Sequence, residues 1–308
     1  MRKDPVEDAL NEIAELRGNP EAGPRMAALL RSKSNLVVSK AARAAGELGS
    51  ADLKSPLAAA FHRLMENPAK LDKGCLATIA IVHALYGLDY DLADVYLRGI
   101  HHVQREAAFG PPVDVAAPLR SACALGLLRT RHPDALFEVE ALLVDEEMIV
   151  RSAAARAIGT WGHESGELLL RLKVLASDEE PDVLGECFTG LLSAGTERSL
   201  NFVGGYLDSA DDGVAEAAIL ALGASREPRA MELLIGKWHR TAQRPMRKVL
   251  LLAFASARQE PAFDFLLGLV ANENAQTAAD AVAALQVCKN DERIMQRVAE
   301  ALAQRDCL

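Results

Sequence analysis

The chain lacks most of what a nucleic-acid binder, a secreted scaffold or a membrane protein is built from. Basic charge is short: 34 Lys and Arg stand against 43 Asp and Glu, a formal net charge of −9. That argues against a sequence-independent grip on phosphate backbones, which needs clustered cations. Aromatic residues are only 5% of the 308, with two Trp, so a base-stacking groove has little to draw on. The five cysteines, Cys75, Cys123, Cys187, Cys288 and Cys307, are odd in number and contain no C-x-x-C pair. This excludes a disulfide framework or a structural zinc site as an organising device and fits reduced thiols. No run of 18 apolar residues exists to cross a membrane, and the start MRKDPVEDAL has no apolar core of a secretory signal. A cytoplasmic protein is the expectation. Also absent are G-x-S-x-G, a Walker lysine loop, G-x-G-x-x-G and H-E-x-x-H. No catalytic residue, cofactor or metal ligand set is therefore assigned, and the chain is expected not to be an enzyme.

What is abundant is Ala, Leu and Val, within a hydrophobic share of 50%. These are helix formers, with small residues for close helix contacts. They are also periodic. Val37–Gly49 reads VVSKAARAAGELG and Val150–Gly162 reads VRSAAARAIGTWG: Val first, Ala eighth, Gly tenth and thirteenth. The same ruler finds units starting at Val6, Val37, Ala77, Ala117, Val150, Val183, Val214, Met246 and Thr277. Their spacings are 31, 40, 40, 33, 33, 31, 32 and 31 residues. The eighth position holds Ile13, Ala44, Ala84, Ala124, Ala157, Gly190, Ala221, Ala253 and Ala284. The ninth is usually large: Leu85, Leu125, Ile158, Leu191, Leu222, Phe254 and Leu285. A small residue beside a large one lets one helix approach another while the groove beside it is filled.

Each such segment is predicted to be a helix A, followed by a short polar turn and a helix B. Turns of this kind are Gly49-Ser50-Ala51-Asp52, Ser225-Arg226-Glu227-Pro228 and Arg258-Gln259-Glu260-Pro261. Helices B are predicted over Arg25–Arg31, Ser55–Glu66, Asp91–Ala107, Ala135–Val144, Glu167–Ala176, Ser199–Leu207, Ala230–Thr241, Ala262–Ala271 and Glu292–Ala303.

The pattern resembles the HEAT-repeat family, in particular its short bacterial form, the PBS-lyase HEAT-like repeat. Val150-Arg151, Ala154-Ala155, Ala157-Ile158-Gly159 and Gly162 match its first helix, and Arg226-Glu227-Pro228-Arg229-Ala230 its turn. The last units depart from it: Ala255 and Gln286 replace the tenth-position Gly, and Arg226, Arg258 and Lys289 the thirteenth. The resemblance implies an all-α fold, an α-α superhelix or α-solenoid of about nine two-helix repeats, with helices B on a concave face. It spans 1–308 as one array: a degenerate capping repeat at 1–36, two longer repeats at 37–116 and regular repeats at 117–308.

The two 40-residue units break the rule. Their extra residues fall between helix B and the next helix A, near Asn67–Gly74 and His101–Asp114. Insertions at equivalent places map to one edge of a repeat array, so these two should lie side by side, where function is expected. The candidate edge for a partner or ligand is Lys73, His101, His102, Gln104, Arg105, Glu106, Asp114 and Arg120, with Lys70, Asp72 and Cys75 nearby. The second insertion reads as a longer helix B plus a loop. On such a helix His101 and His102 point about 100° apart, which disfavours a shared metal ion. The plain alternative is a solvated helix end with a Gly-Pro-Pro stop.

Other candidates have bland readings beside the sharp ones. Trp238 and Arg240, ending a helix B, are a candidate hot spot on the concave face; basic residues at a helix C-terminus also simply complement its dipole. Cys187, Cys288 and Trp161 sit in core register, His83 in an outward one. Asp208, Asp211 and Asp212 lack calcium-loop spacing. Three functions follow in order: a non-catalytic scaffold for a protein or peptide partner; a small-molecule-binding enzyme or lyase-like subunit using the 67–114 edge, which the family name implies; and a HEAT-like nucleic-acid binder, which the acidic charge opposes.

Overall fold

The computed structural model describes residues 4–306; Cys307 lies outside them. Among the described residues the fold is all-α, HEAT-like helix pairs in succession, with nineteen helices and one two-residue strand pair. The chain forms two compact units, one running to Trp161 and one starting at Gly162.

The first unit contains α1 (Pro5–Leu16), α2 (Gly23–Leu29), α3 (Asn35–Leu48), α4 (Lys54–Leu64), the single-turn α5 (Pro68–Leu71), α6 (Leu76–Gly87) and α7 (Asp94–Ile100). Strands β1 (Arg105–Glu106) and β2 (Val113–Asp114) follow, then α8 (Ala117–Thr130), α9 (Ala135–Glu140) and α10 (Met148–Trp161). The second unit contains α11 (Glu164–Ala176), α12 (Pro181–Ser193), α13 (Glu197–Gly204), α14 (Asp212–Ser225), α15 (Pro228–Arg240), α16 (Arg244–Ala257), α17 (Glu260–Asn272), α18 (Ala275–Leu285) and α19 (Glu292–Asp306).

All nine helices A begin within two residues of the positions marked by the sequence ruler. The small eighth-position residue has a visible partner. A Cβ on Gly46 would meet Ala84 at 3.3 Å, and one on Gly223 would meet the backbone oxygen of Ala253 at 2.6 Å. The tenth-position Gly of one unit thus lies against the eighth-position Ala of the next, and neither side has room for a larger group. The ninth-position residues from Leu85 to Leu285 fill the space beside this contact, and all are buried except Leu125.

In seven of the nine units the thirteenth position ends helix A in a left-handed turn; in the Ala117 unit the turn falls two residues later, at Arg131. Gly18, Gly49, Gly162 and Gly195 take φ between 64° and 77° there, where glycine has no Cβ penalty. Asp89, Arg226 and Arg258 hold the same conformation without glycine, at φ 55°, 57° and 51°. The departures from the family motif at Arg226 and Arg258 therefore keep the turn and carry its strain. At Lys289 the turn itself changes: a 3-10 segment, Gln286–Cys288, replaces it and φ is −54°.

Three helices B differ from expectation. The helix expected over Asp91–Ala107 spans only Asp94–Ile100. Beyond it the backbone turns extended, because Arg105 and Glu106 pair with Asp114 and Val113 across a hairpin. The side chain of Asp114 accepts from the Gln104 N–H at 3.0 Å, a bond that competes with continuing the helix. His101 and His102 are thus not on a helix. The helices over Ala135–Val144 and Ser199–Leu207 are α-helical only to Glu140 and Gly204 and finish as 3-10 turns. No helix among the described residues is long and apolar enough to cross a membrane.

Candidate functional site at the insertion edge

The platform for this edge is the tight seat of α7 on α8. A Cβ on Gly99 would lie 2.5 Å from the Cys123 sulfur, and one on Gly126 would lie 2.2 Å from the Tyr96 ring. Tyr96 is fully buried and edge-packed on Tyr90, ring centroids 6.2 Å apart. Such contacts leave α7 no freedom to slide, and they fix where the chain leaves it at Ile100.

From there the two insertions do meet. In the first, Asp72 is fully buried and accepts from the backbone N–H groups of Ala77 and Thr78 at 2.9 and 2.8 Å and from the Thr78 hydroxyl at 2.8 Å. The turn that follows places Gly74 and Cys75 in left-handed backbone, φ 69° and 50°. For Cys75 that conformation is strained, a condition that persists only where surrounding contacts enforce it. In the second insertion Gln104 is buried. Its Nε2 donates to the Asp72 backbone oxygen at 3.1 Å and to Glu106 Oε1 at 2.7 Å. The same Glu106 oxygen accepts from the Gly74 N–H at 2.7 Å. His102 Nε2 lies 3.2 Å from Gln104 Oε1. His102, Glu106 and Asp114 therefore converge on Gln104.

Arg120 locks the second layer. Its guanidinium donates to Asp114 at 2.6 Å, to both Asp145 oxygens at 2.9 Å and to the His102 backbone oxygen at 2.9 Å. The Arg120 and Asp114 side chains are both buried. Burial pushes the Asp114 pKa up, and hydrogen bonds from Arg120, Gln104 and Ala116 outweigh it, holding the carboxyl below its ordinary value. Glu106 is held low by the Gly74 N–H first and by Gln104 second. The Cys75 thiol, buried beside Asp72, Glu106 and Asp114, is pushed up to about 12, desolvation being the largest cause, so it is a packing group and not a nucleophile.

This changes the meaning of several candidate residues. Gln104, Asp114 and Arg120 are buried pins of the edge and not a contact surface; an uncompensated charge in their place would be too costly to leave open. His101 turns away to Glu138 at 2.7 Å, and Arg105 to Glu146 at 2.9 Å. Lys73 is exposed beside Glu106. The strand pair carries a tip, Ala107-Ala108-Phe109-Gly110-Pro111-Pro112, that is exposed throughout, with Phe109 fully in solvent and Gly110 at φ 120°. Sequence reasoning read this stretch as a polar edge ending in a Gly-Pro-Pro stop and missed the apolar tip. Its signal was an Ala-Ala-Phe run ahead of the turn residues.

In the second unit Trp238 corrects another expectation. It is buried, 6.5 Å from Phe254 and 6.1 Å from Phe265 by ring centroids, with the Arg247 guanidinium 4.7 Å above its ring. It is a core residue, because the indole completes an aromatic cluster between helices, and cannot act as an exposed hot spot. Arg240 is exposed and reaches Asp208 at 3.5 Å. No group of three or more His, Cys, Asp or Glu among the described residues is placed to hold a metal ion.

No family model matches the chain, and no curated protein matches it. Solved structures do. The chain is similar to a chain from the complex of CpcE and CpcF of phycocyanin lyase from Nostoc sp. PCC7120, at 17% identity and a TM-score of 0.41, covering 80% of this chain and 94% of that one. It is also similar to human deoxyhypusine hydroxylase in complex with glycerol, at 16% identity and a TM-score of 0.33, covering 84% of this chain and 92% of that one. Both names are those of enzymes, which corrects the expectation that this chain is not one.

Proposed function

We propose that this chain is a protein-binding helical-repeat protein, and that a partner is engaged at the insertion edge through the tip around Phe109. The observation that carries this reading is an aromatic side chain held fully in solvent on a hairpin whose base is pinned by buried hydrogen bonds. An exposed Phe has no stabilising role for the chain alone, while a rigid base means that little ordering cost remains when the tip is buried by a partner. Lys73, exposed beside Glu106 at the base of the hairpin, supplies a charge for the partner to meet.

The test compares affinity capture by the intact chain and by Phe109→Ser. A specific partner should be recovered by the first and lost with the second, while helical content stays the same. Recovery of the same partner by both at equal yield would sink the proposal.

A second reading places a small molecule or a lyase-like step at the same edge. It is supported by the convergence of His102, Glu106 and Asp114 on one residue. His102→Ala would then abolish ligand-induced thermal stabilisation while leaving partner capture intact.

A further inference from the structure

The helices B of the second unit share a register. Buried residues recur at Gly166, Glu167, Leu170 and Val174 on α11, at Ser199, Leu200, Val203 and Leu207 on α13 and the turn after it, and at Ala230, Met231, Leu234 and Trp238 on α15. On α17 they are Ala262, Phe263, Leu266 and Val270. This alignment identifies three equivalent positions on each helix, exposed or half-exposed except for the buried Ala271. They hold Asn201, Gly205 and Asp208 beside α13, Glu232, Gly236 and His239 on α15, and Asp264, Gly268 and Ala271 on α17. On α11 they hold Leu168, Leu172 and Leu175, which are 60%, 63% and 67% exposed. Three leucines at i, i+4 and i+7 form one straight ridge about 10 Å long. On the other helices B of the second unit these positions are polar or small, so within that unit the ridge is a departure in composition, just as the hairpin is a departure in length.

The exposed charges without an ion-pair partner at the ends of the ridge are acidic, with Arg198 within electrostatic reach of Glu164. The cations nearby are engaged: Lys173 with Asp178 at 2.7 Å, Arg198 with Glu167 at 3.0 Å, and Arg171 over the Phe202 ring at 4.1 Å. The carboxylates at its ends are exposed and form no ion pair among the described residues: Glu164 one turn before Leu168, and Glu179 and Glu180 just past Leu175. Glu164 lies on the same helical stripe as the leucines, at i−4 from Leu168.

We infer that α11 is a docking site for a basic amphipathic helix of a partner protein, whose apolar stripe packs on Leu168, Leu172 and Leu175 and whose flanking Lys or Arg residues meet Glu164, Glu179 and Glu180. The apolar ridge supplies the desolvated centre and the carboxylates the rim that sets orientation. The inference rests on the reading of the chain as a protein binder, but not on the Phe109 tip.

The test uses the full chain and a labelled synthetic helix of about 18 residues, with Leu at i, i+4 and i+7 and Lys at both ends, followed by fluorescence anisotropy. Saturable binding is expected. Leu172→Asp should weaken it at least about tenfold, and Glu164→Gln with Glu180→Gln by a smaller factor that shrinks with added salt. Leu175→Gln serves as a second variant, with helical content checked by circular dichroism. Replacing the peptide's Lys with Glu should abolish binding. The inference is overturned if the Lys peptide does not bind, if Leu172→Asp and Leu175→Gln bind it as the unaltered chain does, or if the Glu peptide binds equally well. A homodimer that Leu172→Asp dissociates would also overturn it, because a second copy would then cover the ridge. Loss here with partner capture through Phe109 retained would fail this site alone.

Discussion

The insertion edge of the first unit and helix α11 of the second are two ways of building a surface on the same helix-pair template. At the edge the chain gained residues, and it had to pin them. Asp72, Gln104, Asp114 and Arg120 are buried polar groups, and each finds partners from a separate stretch of chain. At α11 nothing was gained in length: the buried face keeps the register of the other helices B, with Glu167 where they carry Leu200, Met231 and Phe263, and the outward residues are leucines. The first solution carries a stability risk, since its polar network fails if one member is lost. The second carries a solubility risk, since leucines stay in water. Function on repeat proteins can therefore be sought both where the period breaks and where an outward register position turns apolar.

The largest way to break this contrast is Arg120→Ala. It leaves Asp114 and Asp145 buried without their cation and should cost about 3–5 kcal/mol in urea unfolding. Arg240→Ala, which loses an exposed contact to Asp208, should cost about 0–1 kcal/mol. Equal costs would mean that the edge is not pinned as described.

Next come the helix contacts common to both units. Gly223→Ala places a Cβ against the Ala253 backbone, and Ala157→Leu overfills a buried eighth position. Each should cost about 1–3 kcal/mol, read as a lowered unfolding midpoint.

Acid should separate the two surfaces. Glu106 and Asp114 have folded pKa values below their ordinary ones. Their contribution is full above the ordinary carboxylate range, about pH 4, and is lost as pH falls through the lower folded values. Amide NMR shifts of Gly74 and Gln104 should move in that window. The α11 amides near Leu172 should stay put, and simultaneous movement would mean global unfolding and not release of the edge.

The smallest effect sharpens the shared template. Arg226→Gly relieves left-handed backbone at φ 57° and should gain up to about 1 kcal/mol. A loss would mean that the Arg226 side chain makes a contact worth more than the strain.

The helices were legible in advance because their signal is local and repeated. The eighth, ninth and thirteenth positions recur from unit to unit, and successive helix pairs reuse the same neighbour contact. The left-handed turns at Asp89 and Arg226, where glycine is absent, fall on the thirteenth position but were not legible in it, because the residue type there gave no sign of them. The candidate edge was located correctly as a stretch but not as chemistry. His101 and His102 were read on a helix that ends at Ile100, because a two-residue hairpin leaves no periodic signal. Trp238 was read as exposed, because its place at a helix end does not reveal that Phe265 and Arg247 close over it.

The amino-acid sequence alone determined the helix pairs, their register, the small-residue contacts and the place where the period breaks, since all of these follow from spacing along one chain. Only the tertiary structure decided which polar groups at that break are buried and which side chains are left in water. Arg120 is a pin because Asp145, 25 residues away, reaches it. Phe109 stands in solvent because none of the described residues folds back over the hairpin it tips. Those outcomes depend on segments meeting in space, and the desolvation and hydrogen-bond energies that select them exist only once they have met.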